Sequence, residues 1–242
     1  MFYRILRYAL SFLVSASAFA FAQEIPPSPP SQVIAAAQAA FPEYGGGTTF
    51  DAILKSGGTL PDPIVIPKSF DPAPGGSVFG APTYPSPHIA SLVGRSDFVA
   101  LGTPLKRWTY PIVGNNFSVS IYLVHLRSVT IQGEENLAAG RDIYIARAGG
   151  PFVYEGHNFR AIDPNFQLFH LNEPYLFFGS QVIPGLYKVD SDRALKEKAG
   201  TLEETSLKHA HALYFSRKTT DDVLKEAFAA WTQGSEPVRR HQ

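Results

Sequence analysis

Phe117-Ser118-Val119-Ser120-Ile121-Tyr122-Leu123-Val124-His125-Leu126-Arg127-Ser128-Val129-Thr130-Ile131 is a run rich in β-branched and aromatic residues, without glycine or proline. Such a run predicts a strand, because these side chains fit a pleated surface better than a helix. At its start the apolar residues are Phe117, Val119, Ile121 and Leu123, with Ser118 and Ser120 opposite. Further on they are Tyr122, Val124 and Leu126, with His125 and Arg127 opposite. The buried parity slips by one near Ile121–Leu123. A slip of this kind predicts a bulge or a change in the side that is buried. Long, bent strands are what a small closed barrel requires.

Working outward, short strands and turn signals alternate. Asp97–Gly102 reads as a strand stopped by Gly102, and Trp108–Val113 as a second one interrupted by Pro111. Val113-Gly114-Asn115-Asn116 predicts a turn that joins Trp108–Val113 to the long strand. After the turn at Gly133–Gly140 come Asp142–Ala148, then Phe152–Tyr154 and Phe159–Ile162 paired across Glu155–Asn158. Tyr175–Ser180 is almost continuously apolar, as expected of a core strand. Pro184-Gly185 turns the chain into Leu186–Val189. Turn signals at this spacing predict an all-β sandwich or barrel. Ile89–Arg95 has room for one or two helical turns before the first strand. Ser191–Leu207 is polar without clear alternation, and His209–Phe215 reads as a late strand. Val223, Leu224, Ala227, Phe228 and Trp231 then repeat at helical spacing behind Thr219-Thr220-Asp221-Asp222. That pattern predicts an amphipathic helix at about residues 221–232, ended by Gly234.

The order of these motifs resembles a known group. Ser96-Asp97-Phe98-Val99-Ala100-Leu101-Gly102-Thr103 is similar to the opening strand of several small secreted β-barrels. It is followed in order by Val124-x-Leu126-x-x-Val129, Ala139-Gly140-Arg141-Asp142-Ile143, Leu171-Asn172-Glu173-Pro174-Tyr175-Leu176-Phe177-Phe178 and Gly185-Leu186-Tyr187. The arrangement resembles a group of uncharacterised secreted bacterial proteins and, more distantly, the OB-like barrels of netrin-like modules and metalloproteinase inhibitors. It covers about residues 90–190. Asn172 and Pro174 depart from the group's Gly-Glu-x-Tyr-Leu-Leu-Phe-Leu strand. The resemblance implies a fold and carries no catalytic residue. The inhibitors depend on an N-terminal cysteine and disulfides, and this chain has no cysteine.

The expected fold is therefore mainly β: a small OB-like or netrin-like barrel with a proline-rich N-terminal arm and a C-terminal helix. Residues 1–22 read as a signal peptide. Arg4 and Arg7 precede an apolar stretch, and Ala20-Phe21-Ala22 sets a cleavage point between Ala22 and Gln23. The apolar run is shorter than the roughly 20 residues that a spanning helix needs. No later stretch is apolar enough to cross, so no membrane span is expected after the leader is removed. Residues 23–87 form a proline/glycine-rich arm or linker. Ser31 is a possible cap for a short alanine-rich helix ending before Pro42. Residues 88–190 are the barrel domain, and 191–242 a mixed C-terminal extension.

Composition narrows the function. Lysine plus arginine number 21, as do aspartate plus glutamate, in 242 residues. Such a balance provides no electrostatic case for nucleic acid or an anionic membrane. The absence of cysteine excludes thiolate metal sites, cysteine nucleophiles and a disulfide scaffold, and fits a bacterial envelope better than a eukaryotic secretory route. No nucleophile elbow, phosphate loop or dinucleotide fingerprint occurs, and no cofactor is implied. The binding candidates are Trp108 and Tyr110 on one strand face, with Tyr144, Tyr154 and Phe159 as further aromatic members. His125 and Arg127 on one face could hold an anion. His209-x-His211 is too small a set to make a metal site without a third ligand, and no metal is expected. The expected function is a secreted or periplasmic non-enzymatic binding module for an unknown envelope protein or glycan. A hydrolase using His125, His157 or the His209/His211 pair, and a structural envelope protein, are the alternatives.

Overall fold

A computed structural model describes residues 26–44, 49–56, 58–67, 89–112, 117–131, 133, 136–163, 167–190, 193–204, 215 and 218–234. The expected leader with its expected Ala22/Gln23 junction, the prolines of 68–88, the expected turn at 113–116, Glu134-Glu135, His209, His211 and the basic tail lie outside the described residues.

The protein is mainly β. Nine of its strands we number β2 to β10: Phe98–Pro111, Ser118–Ile131, Asp142–Ala148, Gly150–Tyr154, His157–Ile162, Tyr175–Ile183, Leu186–Lys188, Ala194–Lys198 and Thr201–Glu204. They are preceded by β1, Ile64–Pro67. Helices are α1, Ser31–Ala39; α2, Phe50–Lys55; α3, Ile89–Val93; and α4, Thr220–Gly234. One sheet runs β10-β9-β7-β2-β3-β4-β8, and β8 returns to pair with β7. This closes a five-stranded barrel, β7-β2-β3-β4-β8. Its pairs are antiparallel except β4 with β8. In chain order the barrel strands run 1-2-3-5-4, the OB arrangement. A separate sheet, β1-β6-β5, stands beside the barrel, with β1 parallel to β6. The hairpin expected at 152–162 is present but belongs to this second sheet, outside the barrel.

The two strands expected at 97–102 and 108–113 are one strand. β2 runs through Gly102 and Pro104, and its register with β3 shifts at Val99/Ala100, Leu101/Gly102 and Pro104/Lys106. Gly102 is required here by close approach: a Cβ would lie 2.7 Å from Val124 Cγ1 and 3.1 Å from the His125 carbonyl. The glycine thus marks a bend within the strand instead of its end. The parity slip in β3 has a different origin. Between Pro104↔Val124 and Lys106↔Leu123 the extra residue belongs to β2, while β3 pairs with β4 without a break from Val119 to His125. β3 reads as changing parity because both its faces are buried there. Tyr122, Val124 and Leu126 point into the barrel with Phe98, Ile143, Ile145, Phe177 and Tyr187. Val119 and Ile121 point outward against Val33, Ala37, Phe41, Phe50, Phe152 and Phe159.

The same logic explains the unbroken apolar run of β7. Tyr175 and Phe177 face the barrel interior. Leu176 and Phe178 face a third cluster with Leu92 of α3, Val223 and Ala227 of α4, and Leu202. α4 begins as its sequence predicts. The Thr219 hydroxyl accepts the Asp222 amide at 3.2 Å, while Asp222 Oδ2 accepts the Thr219 hydroxyl at 2.7 Å, a reciprocal cap. The polar stretch at 191–207 holds the hairpin β9–β10, which its sequence did not suggest. Only Leu195 and Leu202 of its larger apolar residues face the core, so its charged residues mask the alternation. The two-residue turn Ala199-Gly200, at φ 52° and 83°, was the local signal.

The N-terminal arm lies on the barrel. Pro30, at φ −55° and ψ 145°, is the residue before α1 and makes no side-chain cap, so Ser31 is the first helical residue and not the expected cap. Val33, Ala37, Phe41 and Tyr44 are buried in one cluster with Val119 and Ile121 of β3 and Ala146 and Ala148 of β4, while Phe50 packs on Phe152 and Phe159 of the second sheet. Each large apolar side chain so buried contributes about 1.5–3 kcal/mol, which is why a glycine- and proline-rich segment stays seated.

Candidate binding surface

The second half of β2 sets out the site. Lys106, Leu123 and Tyr144 are opposite one another across β2, β3 and β4. The next row is Trp108, Ile121 and Ala146, and the next Tyr110, Val119 and Ala148. Residues directly opposite share a face, and Val119 and Ile121 show that it is the outer one. The alanines of β4 leave room for α1, while the larger Lys106, Trp108 and Tyr144 form a ridge beside it. The Trp108 and Tyr144 rings are 6.5 Å apart, and Lys106 Nζ sits 5.1 Å from the Trp108 ring centre. Burial raises the Tyr144 phenol pKa, and the nearby Asp142 carboxylate raises it further.

This ridge is occupied by the chain itself. Lys106 Nζ donates to the Pro26 carbonyl at 3.1 Å, and Trp108 Nε1 donates to the Pro27 carbonyl at 2.7 Å. Gln38 Nε2 of α1 donates to the Pro111 carbonyl at 2.6 Å, fixing the far end of β2. Tyr110 packs against the arm-covered cluster, and burial raises its pKa. The expected aromatic group is therefore divided. Trp108 and Tyr144 belong to the ridge, whereas Tyr154 and Phe159 each lie 5.3 Å from Phe50 within the covered cluster.

The second expected pair is also rearranged. His125 stands directly opposite Asp142, and its Nδ1 lies 2.7 Å from Asp142 Oδ1. A carboxylate at that distance takes the place an anion would need and repels a second negative charge. Arg127 is the exposed extra residue of β3 at the Leu101/Gly102 register shift. It lines a shallow groove of about 340 Å³ with Ser128, Val129, Thr130 and the 137–139 turn. His157 is exposed at the start of β6.

Three features were not foreseen. Lys106 follows the same two-residue period as Trp108 and Tyr110, which was the available signal. Thr103 is opposite His125 on its other side, completing a Thr103-His125-Asp142 row, and its hydroxyl is buried without a hydrogen-bond partner among the described residues. The third lies inside the barrel. Arg147 is fully buried, with its guanidinium 4.4 Å from the Phe169 ring. Desolvation lowers its pKa to about 10, opposed by the Tyr122 and Tyr175 phenols and by Asp163. Asp163 is itself buried and accepts the Tyr44 hydroxyl at 2.6 Å, so the arm reaches this charged interior. Ser120 and Thr109, in the same row as Arg147, share a hydrogen bond at 3.1 Å, and Ser120 donates to the Gly149 carbonyl at 2.6 Å.

Among the described residues no group of three or more His, Asp or Glu side chains could hold a metal ion. No described helix is long and apolar enough to cross a membrane. The chain matches no protein-family model, and no curated protein matches it.

Proposed function

We propose that the protein is a secreted or periplasmic binding module of the bacterial envelope, working through the Lys106–Trp108–Tyr144 ridge without chemistry on its ligand. One observation carries this reading: two adjacent side chains of β2 donate separately to two successive backbone carbonyls, those of Pro26 and Pro27, in the N-terminal arm. A surface that grips main-chain carbonyls beside an aromatic ring suits a protein partner better than a glycan. The leader-like residues 1–22 and the lack of cysteine support the compartment. OB-like barrels often bind through their faces and loops, which agrees with this reading by analogy alone. The test is recovery of a partner from envelope extract by the mature chain, Gln23 to Gln242, beside the Lys106→Ala/Trp108→Phe variant. A partner retained by the first and lost by the second supports the reading. Equal recovery by both, or none by either, refutes it, and the latter would favour a structural envelope protein.

A hydrolase is the second reading, favoured by the His125–Asp142 contact. A carboxylate on Nδ1 fixes the imidazole tautomer and leaves Nε2 as a base, the orienting half of a nucleophilic pair. The Thr103 hydroxyl across the strand is buried, so this pair has no accessible nucleophile of its own within its row. Ester and glycoside substrates turned over by the unaltered chain, but not by Asp142→Asn, would establish it.

A further inference from the structure

The two faces of the sheet β1-β6-β5 differ. Ile64, Ile66, Phe152, Phe159 and Ala161 pack inward, in the cluster that the arm covers. Their neighbours along each strand point the other way. Val65, Arg160 and Pro151 stand opposite one another across the three strands. In the next row Asn158 is opposite Val153, and Pro63 comes just before β1. All six are exposed, Val65 at 50% and Val153 at 65%. The solvent face of a half-buried sheet is ordinarily polar, yet only Asn158 and Arg160 of these six are polar. Two of the five exposed large apolar side chains among the described residues stand here.

The face has both relief and charge. Val65 and Val153 are the exposed apolar side chains, and a shallow trough of about 360 Å³ is lined by Asp62, Pro63, Pro151, Val153 and Asn158. Asp62 accepts the Asn158 amide at 3.0 Å, which fixes the acid on this face. Arg160 is the next outward residue of β6. Among the described residues neither Asp62 nor Arg160 has an ion-pair partner. An acid and a base that share a face without pairing are matched by a second copy turned through a twofold axis. Asp62 of each copy then meets Arg160 of the other, and the trough of each receives an apolar side chain of the other. The edges of this sheet suit a partner strand less well. Pro151 lies within β5, Pro63 precedes β1 and Pro67 ends it, and proline has no amide to donate to an added strand.

We propose that the outer face of β1-β6-β5 is a twofold contact between two copies of this chain, closed by two Asp62–Arg160 pairs around Val65, Val153 and Pro151. It uses no residue of the Lys106–Trp108–Tyr144 ridge and stands or falls independently of the binding-module reading. Seven residues make up the patch, where a stable interface uses about 20–30 a side. The dimer is therefore weak, with a Kd expected at about 10–300 μM.

Sedimentation equilibrium of the chain from Gln23 to Gln242, up to about 1 mM, should show a reversible monomer–dimer equilibrium in that range. Arg160→Asp sets two acids against each other at each contact, and Asp62→Arg sets two bases. Each variant alone should dimerise at least tenfold more weakly. Mixed, they form a heterodimer in which both contacts again join opposite charges, and the affinity should return to within about threefold of the unaltered chain. Both residues are exposed, so unchanged urea midpoints are expected. If a midpoint falls, Arg160→Gln and Asp62→Asn replace the pair, each expected to weaken the dimer about threefold. The chain has no cysteine, so Val153→Cys gives a single thiol on this face. Its reaction with a maleimide should slow at least fivefold between dilute and concentrated protein. A chain that stays monomeric at about 1 mM overturns the proposal. So does a dimer that neither charge variant weakens, or a mixture of the two that does not recover. A thiol protected equally at every concentration shows that the chain's own residues cover the face, and also overturns it. An envelope protein recovered by the unaltered monomer but not by Arg160→Asp would make that protein the occupant and exclude the second copy.

Discussion

Gly179 is the position where a single methyl group tests the barrel packing most sharply. It stands directly opposite Phe98 across the β2–β7 pair. A Cβ there would lie 2.7 Å from Phe98 Cδ1 and 3.0 Å from Cζ, with Cε1 closer still. Ordinary carbon contacts are about 3.5–4.0 Å, so the ring would have to retreat by about an ångström or more. Phe98 is fully buried, and the Tyr187 ring centre is 4.3 Å from its own. Overpacking of this kind costs about 1–3 kcal/mol, and Gly179→Ala should fall at the upper end, about 3 kcal/mol. Gly179 is not among the positive-φ residues, so the backbone itself accepts alanine. Phe98→Ala alone should cost about 3–5 kcal/mol through the cavity that it leaves. In that background the added methyl has room and should cost less than about 0.5 kcal/mol, giving a double variant about 2–3 kcal/mol more stable than additivity. Urea unfolding of the four chains gives these values directly. If Gly179→Ala costs the same with and without the Phe98 ring, the ring is not the obstacle and this account of the β2–β7 pair fails.

Arg147→Ala should destabilise by about 3–5 kcal/mol, because Asp163 is left buried beside an empty cationic position, while Arg147→Met, which keeps volume and removes the desolvated charge, should cost less; thermal unfolding of both variants separates the two terms. Tyr44→Phe removes a donor from buried Asp163 and should cost about 1–3 kcal/mol in urea. Glu173 is held below the usual carboxylate range first by its hydrogen bond from Lys196, 2.7 Å away. Its folded pKa is depressed, so its stabilising contribution is present above the unfolded value, about 4.3, and is lost as pH falls through the folded one. Lys196→Met should flatten the acid limb of stability below about pH 5, and an NMR titration should show the Glu173 carboxyl moving upward. A fall in stability with acid that is identical in both chains would remove this assignment.

Much of the barrel was legible because its strands carry local signals. The turns at Glu155-Gly156 and Pro184-Gly185, and the apolar density of β3, β4 and β7, follow from backbone sterics and β-propensity at each position. The amphipathic spacing of α4 and the Thr219/Asp222 cap are equally local. What failed was reading each glycine or proline as an end. Gly102 and Pro104 lie inside β2, and the reason is Val124 and the His125 carbonyl on the neighbouring strand. The hairpin β9–β10 escaped notice because its charged side chains need bury only one face.

The candidate site divides in the same way. Trp108 and Tyr110 share a face by simple alternation, and so do His125 and Arg127. Their neighbours do not follow from alternation. The β3–β4 register gives His125 the carboxylate of Asp142 as its partner, and a register shift leaves Arg127 exposed. Barrel closure buries Arg147, which in sequence is one more cation on a strand. The sequence by itself determined a mainly β chain with a proline-rich arm, because turn chemistry, alternation and proline's missing amide are properties of short segments. Only the tertiary structure decided that the arm covers the barrel and that Trp108 and Lys106 grip Pro26 and Pro27. Those contacts join residues about 80 positions apart, and the apolar burial that holds them exists only once the barrel has closed.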